Sequence, residues 1–181
     1  MTRVRLFFAV DLPKEIKREV LTLAKQGEDN RWRWTPEENI HLTLIFLGYL
    51  DEGLLPTIIK TAESLLHNFQ SLEINCQSII YGPENVRRMI WLMFEKNSAL
   101  EKLKNDLENA LLKSGINFKM ENREFKPHIT LARLKSMEQK PKNKIEKKYQ
   151  KSIPVEEIAL FMSELKPAGA QYAPLQKFQL K

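Results

Sequence analysis

The sequence predicts a mixed α+β fold, and three observations carry that prediction. Short apolar runs with strand-like alternation are interleaved, in irregular order, with segments whose apolar residues recur at helical spacing. At 181 residues and 43% hydrophobic content, the chain is long enough to form one domain, or two small lobes, around a real core. One seven-residue phrase occurs twice, as His41-Leu42-Thr43-Leu44-Ile45-Phe46-Leu47 and His128-Ile129-Thr130-Leu131-Ala132-Arg133-Leu134, each reading His-x-Thr-Leu-x-x-Leu.

The elements follow in order. Residues 4–10 form an apolar run ended by Asp11 and read as a buried first strand. Pro13 opens a helix with Ile16, Val20, Leu23 and Ala24 on one side, closing near Gly27. Trp32-Arg33-Trp34 leads into the turn Thr35-Pro36-Glu37-Glu38, which presents His41 at the start of a strand that runs to Leu47 and stops at Gly48. Helical spacing then covers 54–69, with Pro56 near the start, where proline is tolerated. Residues 72–80 and 88–95 read as two strands joined by a turn at 81–85. Ser98-Ala99-Leu100-Glu101 has the form of a capping box and opens a helix closed by Gly115. The second histidine strand spans 125–134, and strands at 155–163 and 171–180 complete the chain.

Composition narrows the classes. The single cysteine, Cys76, excludes an internal disulfide framework and fits a reducing compartment; its alternating surroundings predict a buried, inert thiol. Neither a signal peptide nor a membrane span is evident, so a cytoplasmic protein is expected. Much of the net charge of +6 lies in residues 135–151, which hold seven lysines and two glutamates. Such a block is read first as a solvated, mobile loop, and a patch that attracts a polyanion is a compatible functional reading.

The repeated phrase carries the chemistry. On a strand, residues i and i+2 share a face, so each copy sets an imidazole beside a hydroxyl. Two such pairs facing each other supply two acid–base groups that work near neutral pH and two hydroxyl donors for the oxygens of one phosphoryl group. The chain has only three histidines, and the third, His67, falls on the polar side of its helix and is expected at the surface. A metal centre is disfavoured, because the sequence has no His-x-x-x-His, no cysteine pair and no acidic residue within the phrase. Gly-rich phosphate loops are absent too, and no cofactor is expected. Strict alternation would put Arg133 on the opposite face from Thr130. It is therefore either a phosphate ligand on a strand that bends, or a surface arginine. Phe46 is expected in the core; base stacking is the alternative for it and for Tyr49.

The two phrases resemble the defining motifs of the 2H phosphoesterase superfamily. Arg5 to Pro13, Asn39 to Leu44 with Phe46-Leu47-Gly48, Ile90-Trp91-Leu92, Phe125 to Arg133 and Tyr172 to Leu175 extend the likeness over nearly the whole chain. More narrowly, the chain resembles the bacterial and archaeal RNA 2′,3′-cyclic phosphodiesterases, historically called 2′-5′ RNA ligases. The resemblance implies a single bilobal domain over 1–181 with pseudo-two-fold symmetry: two antiparallel-rich sheets facing a central cleft, with helices outside. It also implies metal-free hydrolysis of RNA 2′,3′-cyclic phosphate ends, tRNA-derived ones included, to 2′-phosphomonoesters by a monomer. His41 would be the proton donor to the departing 3′-oxygen and His128 the base that activates water. Thr43, Thr130 and Arg133 would bind the phosphate. The competing readings are an ATP-independent ligase that seals 2′,5′ bonds, and a non-catalytic module that holds RNA ends or nucleotides. The presence of both histidines and both threonines argues against the last.

Overall fold

Two antiparallel sheets share the strands of the computed structural model, which describes residues 2–121, 123–166 and 169–181. In chain order the elements are β1 (Arg3–Asp11), α1 (Lys14–Lys25), β2 (Trp32–Trp34), β3 (His41–Asp51), α2 (Leu55–Leu66), β4 (Leu72–Gly82), β5 (Met89–Phe94), α3 (Ser98–Lys113), β6 (His128–Leu134), β7 (Glu146–Val155), β8 (Glu157–Lys166) and β9 (Gly169–Gln179). The first sheet has the order β3-β1-β8-β9 and the second β2-β6-β5-β4-β7. The expected α+β architecture is therefore present. None of the described helices is long and apolar enough to cross a membrane.

Alternation along β1 shows how the first sheet is used. Leu6, Phe8 and Val10 join the main core with α1, α2 and α3, whereas Phe7 and Ala9 turn to the other face and meet Ala159, Phe161 and Tyr172. One face is thus sealed by helices, and the other is left to line a cleft. The same main core takes in Ile74, Ile79, Ile90, Leu92, Ile129 and Leu131 from the second sheet, so one continuous apolar interior backs both His-bearing strands. Cys76 is buried in it, and burial pushes its thiol up to about 12, as expected of an inert cysteine.

Several local expectations are corrected. Trp32–Trp34 is a strand, not a lead-in: Trp32 is buried against Tyr81, and the segment pairs with β6. Gly48 does not end β3. Its positive φ of 75° sits beside a register shift, where Leu6 faces Gly48 and Phe7 faces Phe46, so the glycine permits a bulge and the strand continues to Asp51. The helix at 98–113 is capped by Asn97, whose Oδ1 accepts from the Leu100 amide at 2.9 Å; Ser98 is already inside the helix.

The lysine-rich block is also more structured than a loop. Its second half is β7, the edge of the second sheet, paired along β4. Lys147 Nζ donates to the carbonyls of Leu23, Ala24 and Gln26 at 2.5–3.1 Å, placing an ammonium at the negative, C-terminal end of α1. Lys151 pairs with Glu19 of the same helix at 2.5 Å, Lys144 pairs with Glu84, and Lys140 donates to the Asn85 carbonyl at 3.2 Å. Each of these lysines has a structural task.

Lys147→Ala should cost about 1–2 kcal/mol, because it strips a charge-assisted donor from three helix-terminal carbonyls. Exposed Lys148 on the same strand serves as the comparison, since Lys148→Ala should be near neutral. Urea denaturation of both variants decides the point; equal midpoints would remove the capping role.

Candidate active site

Each histidine is held in the same way. His41 Nδ1 lies 2.8 Å from the Asn39 carbonyl, and His128 Nδ1 lies 2.8 Å from the Lys126 carbonyl, in both cases two residues back along the chain. A carbonyl only accepts, so Nδ1 carries the proton and donates it. That fixes the tautomer and leaves each Nε2 as the ring nitrogen available for proton exchange. The rings are held against aromatic neighbours. Measured between ring centroids, His41 lies 4.7 Å from Phe7, 5.0 Å from Tyr172 in a T-shaped arrangement and 5.9 Å from Phe161. His128 lies 4.2 Å from Trp91. Trp91 in turn lies flat over Gly82, where an added Cβ would sit 2.1 Å from the indole ring, so that position accepts no side chain without displacing Trp91.

The register explains which residues follow the histidines onto the cleft face. On β3, Asp11 faces His41, Ala9 faces Thr43, Phe8 faces Ile45 and Phe7 faces Phe46, which leaves Leu44 as an extra residue without a partner on β1. On β6, Met93 faces His128, Trp91 faces Thr130, Ile90 faces Ala132 and Met89 faces Arg133, which leaves Leu131 as the extra residue. Leu44 and Leu131 occupy the same place in the repeated phrase. A bulge shifts the alternation by one, so two successive side chains enter the core and the sixth position returns to the histidine face. The burial patterns agree: Leu44 and Ile45 are buried together, as are Leu131 and Ala132.

Both open placements follow from the bulges. Arg133 shares the face of Thr130, and both reach Met89 Sδ, at 3.2 Å from Arg133 Nη1 and 4.0 Å from Thr130 Oγ1. Phe46, expected in the core, is 46% exposed on the cleft side, with the Arg5 guanidinium 4.7 Å from its ring centroid. Tyr49 is exposed further along the strand, opposite Arg5. His67, by contrast, is an exposed residue at the C-terminal end of α2, away from both strands.

Thr35, which the sequence did not single out, links the two halves. It follows β2 and donates its amide to the Leu131 carbonyl at 2.8 Å and its hydroxyl to the Thr130 carbonyl at 2.9 Å, satisfying the backbone that the bulge releases from the ladder. The chain then passes through Asn39, whose side chain donates to the Ala170 carbonyl at 2.8 Å, and enters β3 at His41. Strands β3 and β6 run close to each other although they belong to different sheets. Tyr172, edge-on to His41, also acts electrostatically on Arg133. The two His-x-Thr strands are thus brought close together, one from each sheet.

Burial governs the charge state. It drives His41 down to about 4 from the ordinary 6.5, against the opposing pull of the Asn39 carbonyl and the Asp11 carboxylate. Burial lowers His128 as well, with Arg133 adding to the effect and the Lys126 carbonyl opposing it. Asp11 is itself held by buried Lys17 at 2.6 Å. Among the described residues no group of three or more His, Cys, Asp or Glu gathers as a metal donor set.

The His41 shift has a consequence for stability. The unfolded chain takes up a proton near pH 6.5 while folded His41 resists until about 4, so its contribution is complete above pH 6.5 and is lost as pH falls toward 4. His41→Asn should flatten the fall in unfolding free energy across that window, measured by urea titrations at several pH values. An unchanged slope would mean that His41 is not held neutral.

With this geometry in place, comparison with known proteins gives a consistent answer. The LigT-like phosphoesterase family matches residues 10–91 and 93–172. Curated relatives include an RNA 2′,3′-cyclic phosphodiesterase of Methanocaldococcus jannaschii, 32% identical over 97% of this chain and 100% of the relative, and one of Thermus thermophilus, 31% identical over 98% and 91%. Among solved structures, a Thermus thermophilus protein superposes with a TM-score of 0.83 at 30% identity, covering 97% of each chain. Escherichia coli LigT complexed with 3′-AMP gives 0.83 at 27% identity, covering 99% of each. The chain belongs to the LigT-like phosphoesterase family.

Proposed function

We propose that this protein hydrolyses RNA 2′,3′-cyclic phosphate ends to 2′-phosphomonoesters, with His41 and His128 as the acid–base pair. The reading is carried by one observation: both histidines are fixed as Nδ1–H tautomers by equivalent backbone contacts, each with a threonine two residues on along its strand and so on the same face. The names of the curated relatives support the same reaction class.

In the reaction, the cyclic phosphate sits between the two His-Thr pairs, with the hydroxyls of Thr43 and Thr130 and the Arg133 guanidinium directed at its non-bridging oxygens. One neutral Nε2 takes a proton from water as the water oxygen attacks phosphorus. The protonated Nε2–H of the other ring gives its proton to the 3′-oxygen as the P–O3′ bond breaks, leaving a 3′-hydroxyl and a 2′-phosphomonoester. Proton exchange with solvent restores the starting states. The resemblance assigns donation to His41 and base catalysis to His128. Because burial keeps His41 unprotonated in the free protein, the bound phosphodiester anion must supply the charge that raises its pKa. Substrate binding and proton uptake are therefore coupled.

The deciding experiment is incubation with adenosine 2′,3′-cyclic phosphate in EDTA, with separation of the 2′- and 3′-monophosphates. Accumulation of the 2′-product alone supports the reading; absence of turnover, or formation of the 3′-product, overturns it. His41→Ala and His128→Ala should each lower kcat by roughly 10²–10⁴-fold, and the double variant should be little worse than either single one, because the pair acts as a unit. A p-nitrophenyl phosphodiester, whose leaving group needs no proton, should restore His41→Ala far more than His128→Ala. The reverse pattern would exchange the two roles. Phe46→Ala should raise KM about tenfold with kcat largely retained if its exposed ring is the platform for the terminal base; an unaltered KM removes it from substrate binding.

A further inference from the structure

The two walls of the cleft differ most at the sixth position of the repeated phrase. The first copy presents Phe46, near Tyr49, Phe7 and Phe161; the second presents Arg133. Around Arg133 the surface is cationic in an unusual way. Arg33 on edge strand β2 stands directly opposite Arg133 in the register, flanked by Trp32 and Trp34, which pack on the core, so Arg33 shares the outer face with Arg133. Arg88 closes the same end of the sheet, its carbonyl accepting from the Leu134 amide. Like charges placed opposite each other on neighbouring strands repel and destabilise the pair.

Among the described residues, nothing negative answers them. Arg18, Arg31 and Arg123 pair with Glu37, Asp29 and Glu121, and Arg3, Arg5 and Arg87 donate to oxygen acceptors. Within that same set Arg33 and Arg88 make no such contact, and Arg133 reaches only the Met89 sulfur. Burial and the neighbouring charges of Arg88 and Arg33 lower the Arg133 pKa, while Tyr172 opposes them.

We propose that Arg33 and Arg88 form a second phosphate subsite, which binds the phosphate on the 5′-oxygen of the nucleoside that carries the cyclic phosphate. The inference rests on the cyclic phosphodiesterase reading given above. Arg133 shares Met89 with Thr130 and so belongs to the reacting phosphate. Arg33 lies one strand further out, about 4.8 Å in the sheet direction, so a phosphate held by Arg33 would lie beside the reacting one. Bases then lie toward the aromatic wall and the phosphate backbone toward the arginine wall. In RNA this phosphate is the link to the penultimate nucleotide; in a mononucleotide it is a 5′-phosphate.

Three substrates separate the possibilities: adenosine 2′,3′-cyclic phosphate, its 5′-phosphorylated form, and the dinucleotide ApA ending in a 2′,3′-cyclic phosphate. The second and third should both exceed the first in kcat/KM by about tenfold or more, with an advantage that shrinks as salt rises. Arg33→Gln and Arg88→Gln should bring both ratios toward one. Three results would overturn the subsite: a 5′-phosphate that brings no gain, a gain confined to ApA (which would reside in the second nucleoside), or unaltered ratios in both variants. Failure of the wild-type protein to hydrolyse any of the three substrates would instead strike the cyclic phosphodiesterase reading itself.

Discussion

The site depends on one extra residue in each histidine strand. Without Leu44 and Leu131 outside the ladder, strict alternation would send Phe46 and Arg133 to the face opposite their histidines. The bulge keeps a leucine and its following neighbour in the core while returning the sixth side chain to the cleft. The carbonyls released around the second bulge would be costly if left without donors. Thr35 meets that need with its amide and hydroxyl. A single threonine thereby ties the shape of β6 to the segment that delivers His41 on the other sheet.

The contact from Nδ1 to the carbonyl two residues back is the second constraint, and it recurs in both halves. It selects the tautomer, aims Nε2, and does so with backbone alone, so the residues at those carbonyls, Asn39 and Lys126, need not match. The aromatic supports differ as well: Phe7, Phe161 and Tyr172 on one side and Trp91 over Gly82 on the other. The surroundings are equivalent in geometry and unequal in chemistry. The proposed division of acid and base work between two copies of one phrase, and of bases and phosphates between the two walls, rests on that inequality.

The candidate catalytic groups are legible in the sequence because they are local. His-x-Thr on a strand fixes a shared face through the two-residue period, and two copies in one chain single out the pair. Helix limits are readable from apolar spacing, with Asn97 displacing Ser98 as cap by one position. What stays hidden is everything that depends on register. The bulges at Leu44 and Leu131 leave no mark in hydrophobicity, so alternation alone sends Phe46 to the core and leaves Arg133 between two faces. Thr35 looks like an ordinary turn residue because its acceptors lie on a strand distant in sequence. The lysine-rich block reads as a solvated segment, whereas Lys147 and Lys151 have their partners on α1, at the other end of the chain. Charge composition reports sign and not partner.

In the proposed mechanism both imidazoles present Nε2 to one phosphate while Nδ1 stays bonded to the backbone. Long-range ¹H–¹⁵N correlation spectra of the histidine rings, recorded with and without adenosine 2′-monophosphate, test it most directly. The expected result is Nδ1–H tautomers for His41 and His128 in the free protein, with the Nε2 signals of both rings moving together as one equivalent of nucleotide binds. An Nε2–H tautomer in either ring, or a response from one histidine alone, would contradict it.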